Sequence, residues 1–317
     1  MTTITQEQSV RHKITNPNGF HYVSQIRLND TPYPNRYLSN INQSLEIGDK
    51  VLVFFESKDS RKKRILNKYP SFISIPYYLL DFILKRVFPK LKLTYGITQW
   101  LTKGRNKVIS LPECLGRLHA MGFTIVDQYD QGYHTYIEAK KSSEPLADPN
   151  KETYGVYIRL NRIGKNGKII KVLKLRTMHP FSEFIQGYVF DKNALAKGGK
   201  LKDDFRITSW GKILRKFWID ELPMMSNLFK GEMKLVGIRP LSPHFFSLYP
   251  ADVQMLRVQV TPGLIPPFYA DMPNTLEEIV ESERRYIQAS LKSPFKTDFI
   301  YFCKAMRNIL FRKARSK

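Results

Sequence analysis

A chain of 317 residues has room for two domains of ordinary size, each with its own core. Its 51 Lys and Arg against 28 Asp and Glu leave a net charge of +23, which favours polyanionic partners: phosphorylated substrates, anionic lipid or nucleic acid. A hydrophobic content of 42% argues against disorder, and two distant cysteines, Cys114 and Cys303, argue against a disulfide framework or a cysteine-rich zinc site.

The opening run MTTITQEQSVRHK lacks the basic and apolar regions of a cleaved signal peptide, and no window offers the ~20 apolar residues of a spanning helix. A polar, Pro-containing stretch, Ser142 to Asn150, reads as a linker and predicts domains at 1–150 and 151–317. In the first, Lys50 to Phe55 is a strand, Pro112 to Met121 a helix, and Phe123 to Val126 and Tyr133 to Ala139 two strands: an α/β extension. It faintly resembles the last units of a Rossmann-like methyltransferase, but no glycine-rich loop follows an early strand, so no catalysis is assigned to it. From Arg61 to Lys107, twelve cations face the single acid Asp81. Within that stretch Tyr77 to Phe88, bracketed by Pro76 and Pro89, reads as a helix with Asp81 and Lys85 four apart. It is either an interfacial helix held to an inner leaflet by basic flanks or a buried helix with a solvated basic rim.

The second half opens with strands at Tyr157 to Ile163 and Ile169 to Arg176, joined across Asn166-Gly167, a pair that tolerates the positive φ of a tight turn. A period of two places Ile170, Val172, Lys174 and Arg176 on one face, bringing two cations together. A helix over Ser209 to Lys216 follows. Asp220-Glu221-Leu222-Pro223 then precedes an apolar helix, Met224 to Phe229, so the acids lie at a helix N-terminus, where the dipole alone would favour them. They can also carry chemistry. A carboxylate attacks phosphorus only if anion repulsion is suppressed by a divalent cation and by Arg or Lys on the phosphoryl oxygens. Lys174, Arg176, Arg206, Arg215 and Arg239 supply those charges, and hard oxygen ligands select Mg²⁺.

The blocks Arg162 to Lys168 (RIGKNGK), Lys174 to Met178 (KLRTM), Arg215 to Pro223 (RKFWIDELP), Asn227 to Met233 (NLFKGEM) and Leu235 to Pro240 (LVGIRP) resemble, in this order, the bacterial sugar transferases, the monotopic phosphoglycosyl transferases. The resemblance is strong from about Tyr154 to Leu264 and weaker to the C-terminus, and the whole chain looks like a subgroup with a long N-terminal extension. It implies an α/β catalytic domain with a β-hairpin and surface-lying helices. It also implies transfer of a phosphosugar from a nucleoside-diphosphate sugar, a UDP-sugar in the usual case, to undecaprenyl phosphate or another polyprenyl phosphate. Such a step initiates exopolysaccharide, capsule or O-antigen assembly at the cytoplasmic face of the inner membrane. In the family the Asp of the Asp-Glu pair forms a covalent phosphosugar intermediate and the Glu helps to hold Mg²⁺; here these are Asp220 and Glu221. Lys174, Arg215 and Arg239 match the family's phosphate-contacting cations, with Arg176 a weaker candidate. The sequence departs from the pattern at Leu160, Ile238 and Thr261 to Pro267 (TPGLIPP), which leaves sugar and base open.

Beyond these blocks, Thr275 to Glu278 is a capping box opening a helix through about Ser290. Phe299, Phe302, Cys303, Met306, Ile309 and Leu310 recur at helical spacing after Pro294, with a basic tail to Lys317, as in an interfacial helix or a core-packed terminal one. His179 and His244 are left out of the site as lone histidines. Two rival readings are a basic nucleic-acid-binding protein, for which no zinc, helix-turn-helix or RNA-recognition motif is present, and a non-catalytic membrane scaffold, against which the intact Asp220-Glu221 pair speaks.

Overall fold

The computed structural model describes residues 19–151, 155–193, 195–196, 200–201 and 204–311. The basic tail from Arg312 to Lys317 and the side chain of His244 lie outside the described residues. The fold is α/β with small sheets, and the chain forms two compact units. One holds the residues up to Gly155 together with His179–Tyr188; the other holds Val156–Met178 and the residues from Val189 onward.

The first unit is built on a four-stranded sheet of β1 (Tyr22–Val23), β2 (Lys50–Phe55), β3 (Phe123–Gln131) and β4 (His134–Lys141) in the order β1-β2-β4-β3. Only the β1–β2 pair is parallel. Alternation along β2 buries Val51, Val53 and Phe55; Leu38 and Ile41 of α1 (Pro34–Gln43) and Leu115 and Leu118 of α5 (Leu111–Ala120) are buried as well. Between them lie α2 (Lys58–Lys68), α3 (Ser71–Phe82), a wide π-turn over Ile83–Val87, and α4 (Lys92–Thr102).

The segment expected to begin after Pro76 instead starts at Ser71, with Pro76 inside α3. Proline there removes one helical hydrogen bond, a local cost offset by tertiary contacts. The chief of these is a buried fork in which Arg61 Nε and Nη2 donate to Asp81 Oδ2 and Oδ1, each at 2.7 Å. Asp81 therefore pairs with Arg61 and not with Lys85. The π-turn carries Lys85 off the expected stripe, and a planar guanidinium suits a carboxylate better than a flexible ammonium.

Two buried features tie His179–Tyr188 into this unit. The main chain of Phe181 sits where a Cβ on Gly116 would stand, 2.2 Å from its oxygen, and the Arg117 guanidinium lies 4.5 Å from the Phe181 ring. His179 is buried with Nδ1 3.1 Å from Arg86 Nη2 and 2.9 Å from Ser110 Oγ. Burial and the Arg86 charge push its pKa down to about 3, so it is a neutral packing group.

The second unit begins with the expected hairpin, β5 (Tyr157–Ile163) and β6 (Ile169–Leu175), antiparallel with Ile158 opposite Lys174 and Arg162 opposite Ile170. Its loop puts Asn166 and Gly167 at φ 58° and 72°, the left-handed region these residues tolerate. Next come α6 (Gln186–Asn193), whose first residues belong to the other unit, a short ladder of β7 (Leu195–Ala196) and β8 (Lys200–Leu201), and α7 (Ser209–Lys216). A 3₁₀ turn over Ile219–Met224 leads into α8 (Met225–Phe229), one residue later than the sequence suggests, and the acids lie in the 3₁₀ turn that precedes it. The parallel pair β9 (Lys234–Val236) and β10 (Gly263–Ile265) is separated in sequence by α9 (Pro243–Ser247) and α10 (Ala251–Arg257). The short α11 (Phe268–Asp271) precedes α12 (Leu276–Lys292), capped by Thr275 as expected, and α13 (Pro294–Phe311). One core gathers Val236, Ile238, Val260, Tyr286 and Ile287, and another Ile170, Val172, Met224 and Met233 beneath the hairpin. Helix α13 buries Thr297, Ala305 and Asn308 and leaves Phe295, Phe299, Leu310 and Phe311 exposed, so one side packs and the other is apolar and open.

Candidate active site

Three elements of the second unit converge on a cleft lined by Arg162, Val172, Lys174, Glu221, Met224, Arg239, Pro240, Gly263, Leu264, Pro266 and Tyr269. The hairpin supplies Lys174 and Arg162. Because directly opposed residues of an antiparallel pair share a face, Arg162 lies on the same side as Ile170, Val172 and Lys174. The Arg-Pro loop after β9 supplies Arg239. Its entry depends on two glycines: a Cβ on Gly263 would stand 2.1 Å from Gly237 N, so β9 and β10 approach as closely as they do only without side chains there. Buried Arg257 then holds the Arg239 carbonyl through Nη2 at 2.5 Å and pairs with Glu283.

The acids are placed by the turn after α7. Thr208 caps that helix, accepting from Gly211 N at 3.0 Å, and its N–H and hydroxyl both donate to the Thr177 carbonyl at 2.9 Å. Arg215, in the last turn, donates from Nε to Thr177 Oγ1 at 2.9 Å. Trp218 then adopts a left-handed φ of 56°, an uncommon conformation for an aromatic residue, held by an indole donation to Tyr269 Oη at 3.0 Å and an edge-on ring contact. That reversal starts the 3₁₀ turn and directs Asp220 inward.

Asp220 is 7% exposed, and its Oδ1 has no hydrogen-bond partner. Burial raises its pKa, as does the Glu221 charge, while Lys174 and Arg215 act in the opposite direction. Glu221 Oε1 accepts from Lys174 Nζ at 2.7 Å and lies 3.9 Å from Arg239 Nη2. Burial lowers the pKa of Lys174, with Arg239 adding and Glu221 opposing; Arg162 is likewise lowered by burial and by Arg239. The site is thus one in which like charges are crowded and partly desolvated. An unpartnered buried carboxylate oxygen beside such cations is unusual outside a reaction centre.

Of the residues singled out from sequence, Lys174, Glu221 and Arg239 meet in the cleft, and Asp220 and Arg215 lie beside it, coupled to each other by charge. Arg176 stands one residue beyond β6, bonded through its N–H to the Val156 carbonyl at 2.7 Å; it is not among the described lining residues. Arg206 is buried and paired with Asp204 at 2.7 Å. Arg162 and Tyr269 were not singled out. For Arg162 the signal existed, since a period of two along β5 puts it opposite Ile170, whereas nothing local marks Tyr269. Two adjacent carboxylates suit Mg²⁺, which binds through one or two such groups and leaves the rest to phosphate and water. Among the described residues no cluster of three or more His, Cys, Asp or Glu is arranged to hold a metal, so the chemistry of the donor set rests on that pair.

The bacterial sugar transferase family model matches residues 150–312. The chain is 37% identical over 131 residues to the galactosyl transferase CpsE of Streptococcus agalactiae, covering 40% of this chain and 29% of that protein. It is 38% identical over 108 residues to the exopolysaccharide production protein ExoY of Sinorhizobium fredii, covering 32% and 47%. With the undecaprenyl-phosphate galactose phosphotransferase of Salmonella typhimurium it shares 35% over 108 residues, covering 32% and 22%. The matched region thus spans less than half the length of each of these relatives. Since the family match takes in just over half of the 317 residues, including every residue of the cleft, the chain belongs to the bacterial sugar transferase family.

Proposed function

We propose that the protein transfers a phosphosugar from a nucleoside-diphosphate sugar, with UDP as the expected carrier, to polyprenyl phosphate, undecaprenyl phosphate being the expected acceptor. The observation that carries this reading is the unpartnered, buried Asp220 Oδ1 next to a carboxylate held by Lys174, with Arg239 and Arg162 facing the same cleft. The relatives support it: one is named for undecaprenyl phosphate and galactose, another for exopolysaccharide production.

In the first displacement an Asp220 oxygen attacks the sugar-bearing phosphorus, a phosphorus–oxygen bond forms, and the bond to the nucleoside monophosphate breaks with its electron pair. In the second, an oxygen of polyprenyl phosphate attacks the same phosphorus, and the aspartyl bond breaks to return the carboxylate. Lys174, Arg239 and Arg162 neutralise the phosphoryl oxygens, and Arg215 balances the Asp220 charge. Bound Mg²⁺, held by Glu221, would supply Lewis-acid neutralisation of the diphosphate. An inner-leaflet location at the cytoplasmic face, with no nucleic-acid partner, is part of this proposal. It is supported by the exposed Trp210, Ile213 and Phe217 of the α7 region and the open apolar side of α13. Such a step would initiate exopolysaccharide, capsule or O-antigen type assembly.

The test is nucleoside monophosphate release from a panel of nucleotide sugars with polyprenyl phosphate in lipid. Asp220→Asn should fold and release none, and normal turnover by that variant would refute the nucleophile. With the parent, labelled phosphosugar should remain on the protein when acceptor is withheld.

A further inference from the structure

Helices α3 and α4 of the first unit are amphipathic in the wrong sense for water. On α4 the threonines turn inward: Thr98 is buried, and Thr94, Thr98 and Thr102 donate to the carbonyl oxygens of Phe88, Thr94 and Thr98. Leu93, Ile97, Trp100 and Leu101, which share the opposite face, are 90, 60, 80 and 62% exposed. On α3 the buried side chains are Ser74 and the ion-paired Asp81, while Phe72, Ile75, Leu79 and Leu80 are all more than half exposed. A helix in water does the reverse, and an apolar surface of this extent marks a binding face.

Charge identifies the occupant. Exposed Lys62, Lys63 and Lys68 lie on α2, with Lys62 Nζ 5.8 Å from the Tyr78 ring of α3 and Lys68 Nζ 5.3 Å from the ring of Tyr69. Tyr69 in turn contacts Tyr77 edge-on. Exposed Lys103 and Arg105 close α4. The acids of this stretch do not offset them: Glu56 and Asp81 are buried against arginines, and Asp59 lies at the far start of α2, 3.5 Å from Lys58. Apolar side chains bordered by lysines and tyrosines match the boundary between acyl chains and anionic headgroups. No described helix is long and apolar enough to cross a membrane; the 12 residues of α3 span about 18 Å against about 30 Å of hydrocarbon.

We infer that α3 and α4 form a membrane-docking face that seats the first unit on an anionic phospholipid surface. It lies outside residues 150–312 and so is separate from the family's catalytic region. The inference does not depend on the transferase reading.

Nitroxide labels at positions 93 and 100, introduced into the full chain with Cys303→Ser, test it. Both sites are so exposed that labelling leaves packing intact, and Cys114 is buried. On vesicles of phosphatidylglycerol and phosphatidylethanolamine, both labels should gain access to oxygen and lose access to a water-soluble nickel chelate, while a label at exposed Gln131 keeps its aqueous character. Replacing Lys62, Lys63 and Lys68 by Gln should lower affinity for these vesicles about fivefold per lysine, with little change on phosphatidylcholine. Labels that stay aqueous on vesicle-bound protein would overturn the inference. So would labels shielded without lipid together with a doubled mass, which would assign the face to a second copy. The labels report immersion whether or not any phosphosugar is transferred, so failure of one reading leaves the other standing.

Discussion

Arg257 Nη2 donates to the carbonyl oxygen of Arg239 at 2.5 Å, so a buried guanidinium fixes the main chain from which a half-exposed one projects into the cleft. The same Arg257 is paired with Glu283, whose carboxyl is also buried; burial raises the Glu283 pKa while Arg257 opposes the rise. Arg257→Met leaves that carboxylate without its partner and should cost about 3–5 kcal/mol of unfolding free energy, whereas Arg257→Met with Glu283→Leu should recover much of the loss. Urea titration of the two variants checks this.

The burial of Asp220 carries a cost in stability. A carboxyl whose folded pKa is raised above its ordinary value of 3.8 keeps a proton that the unfolded chain has already released. Stability therefore falls as pH climbs through that window, and the cost persists at neutrality. Asp220→Asn removes the cost, so its melting temperature should exceed the parent's at pH 7, with the gap closing below about pH 4. Coincident melting curves at pH 7 would contradict the assignment.

The 2.7 Å contact of Lys174 with Glu221 predicts a charge-dependent rate. Lys174→Met should lower kcat for nucleoside monophosphate release by about 10²–10³-fold, the usual effect of removing one preorganised charge at a developing oxyanion. Chelation of divalent cations should stop turnover of the parent. Unaltered activity in chelator would exclude the metal role of Glu221.

Gly211 packs so closely that an added Cβ would lie 2.1 Å from the Thr177 carbonyl and 2.7 Å from Thr208 Oγ1. Gly211→Ala should destabilise the protein by about 1–3 kcal/mol and displace Arg215 from Thr177, reducing activity as well. Gly187, around which a Cβ would meet nothing within 4 Å, gives the control substitution, and thermal melting distinguishes the two.

The local parts of this molecule were legible. Asn166-Gly167 marked the hairpin, Ser209 to Lys216 was read with its observed bounds, and the capping box opened α12. In each case the residues interact within one turn of themselves. What escaped was tertiary. Pro76 looked like a helix start because its local cost is visible, while the Arg61–Asp81 fork that offsets it joins residues twenty positions apart. Lys174, Glu221 and Arg239 were gathered through a family resemblance; Tyr269, which holds Trp218 in its left-handed conformation, carries no mark in the sequence around it.

The chain passes from one unit to the other after Gly155, returns for His179–Tyr188, and leaves again at Val189. A shortened polypeptide beginning at Val156 would keep every lining residue of the candidate cleft yet carry that ten-residue excursion without the surfaces that enclose it. Phe181 and Ile185, now 1% and 0% exposed, would face solvent. Severing the amino-terminal half is therefore expected to yield a sticky, poorly recoverable product.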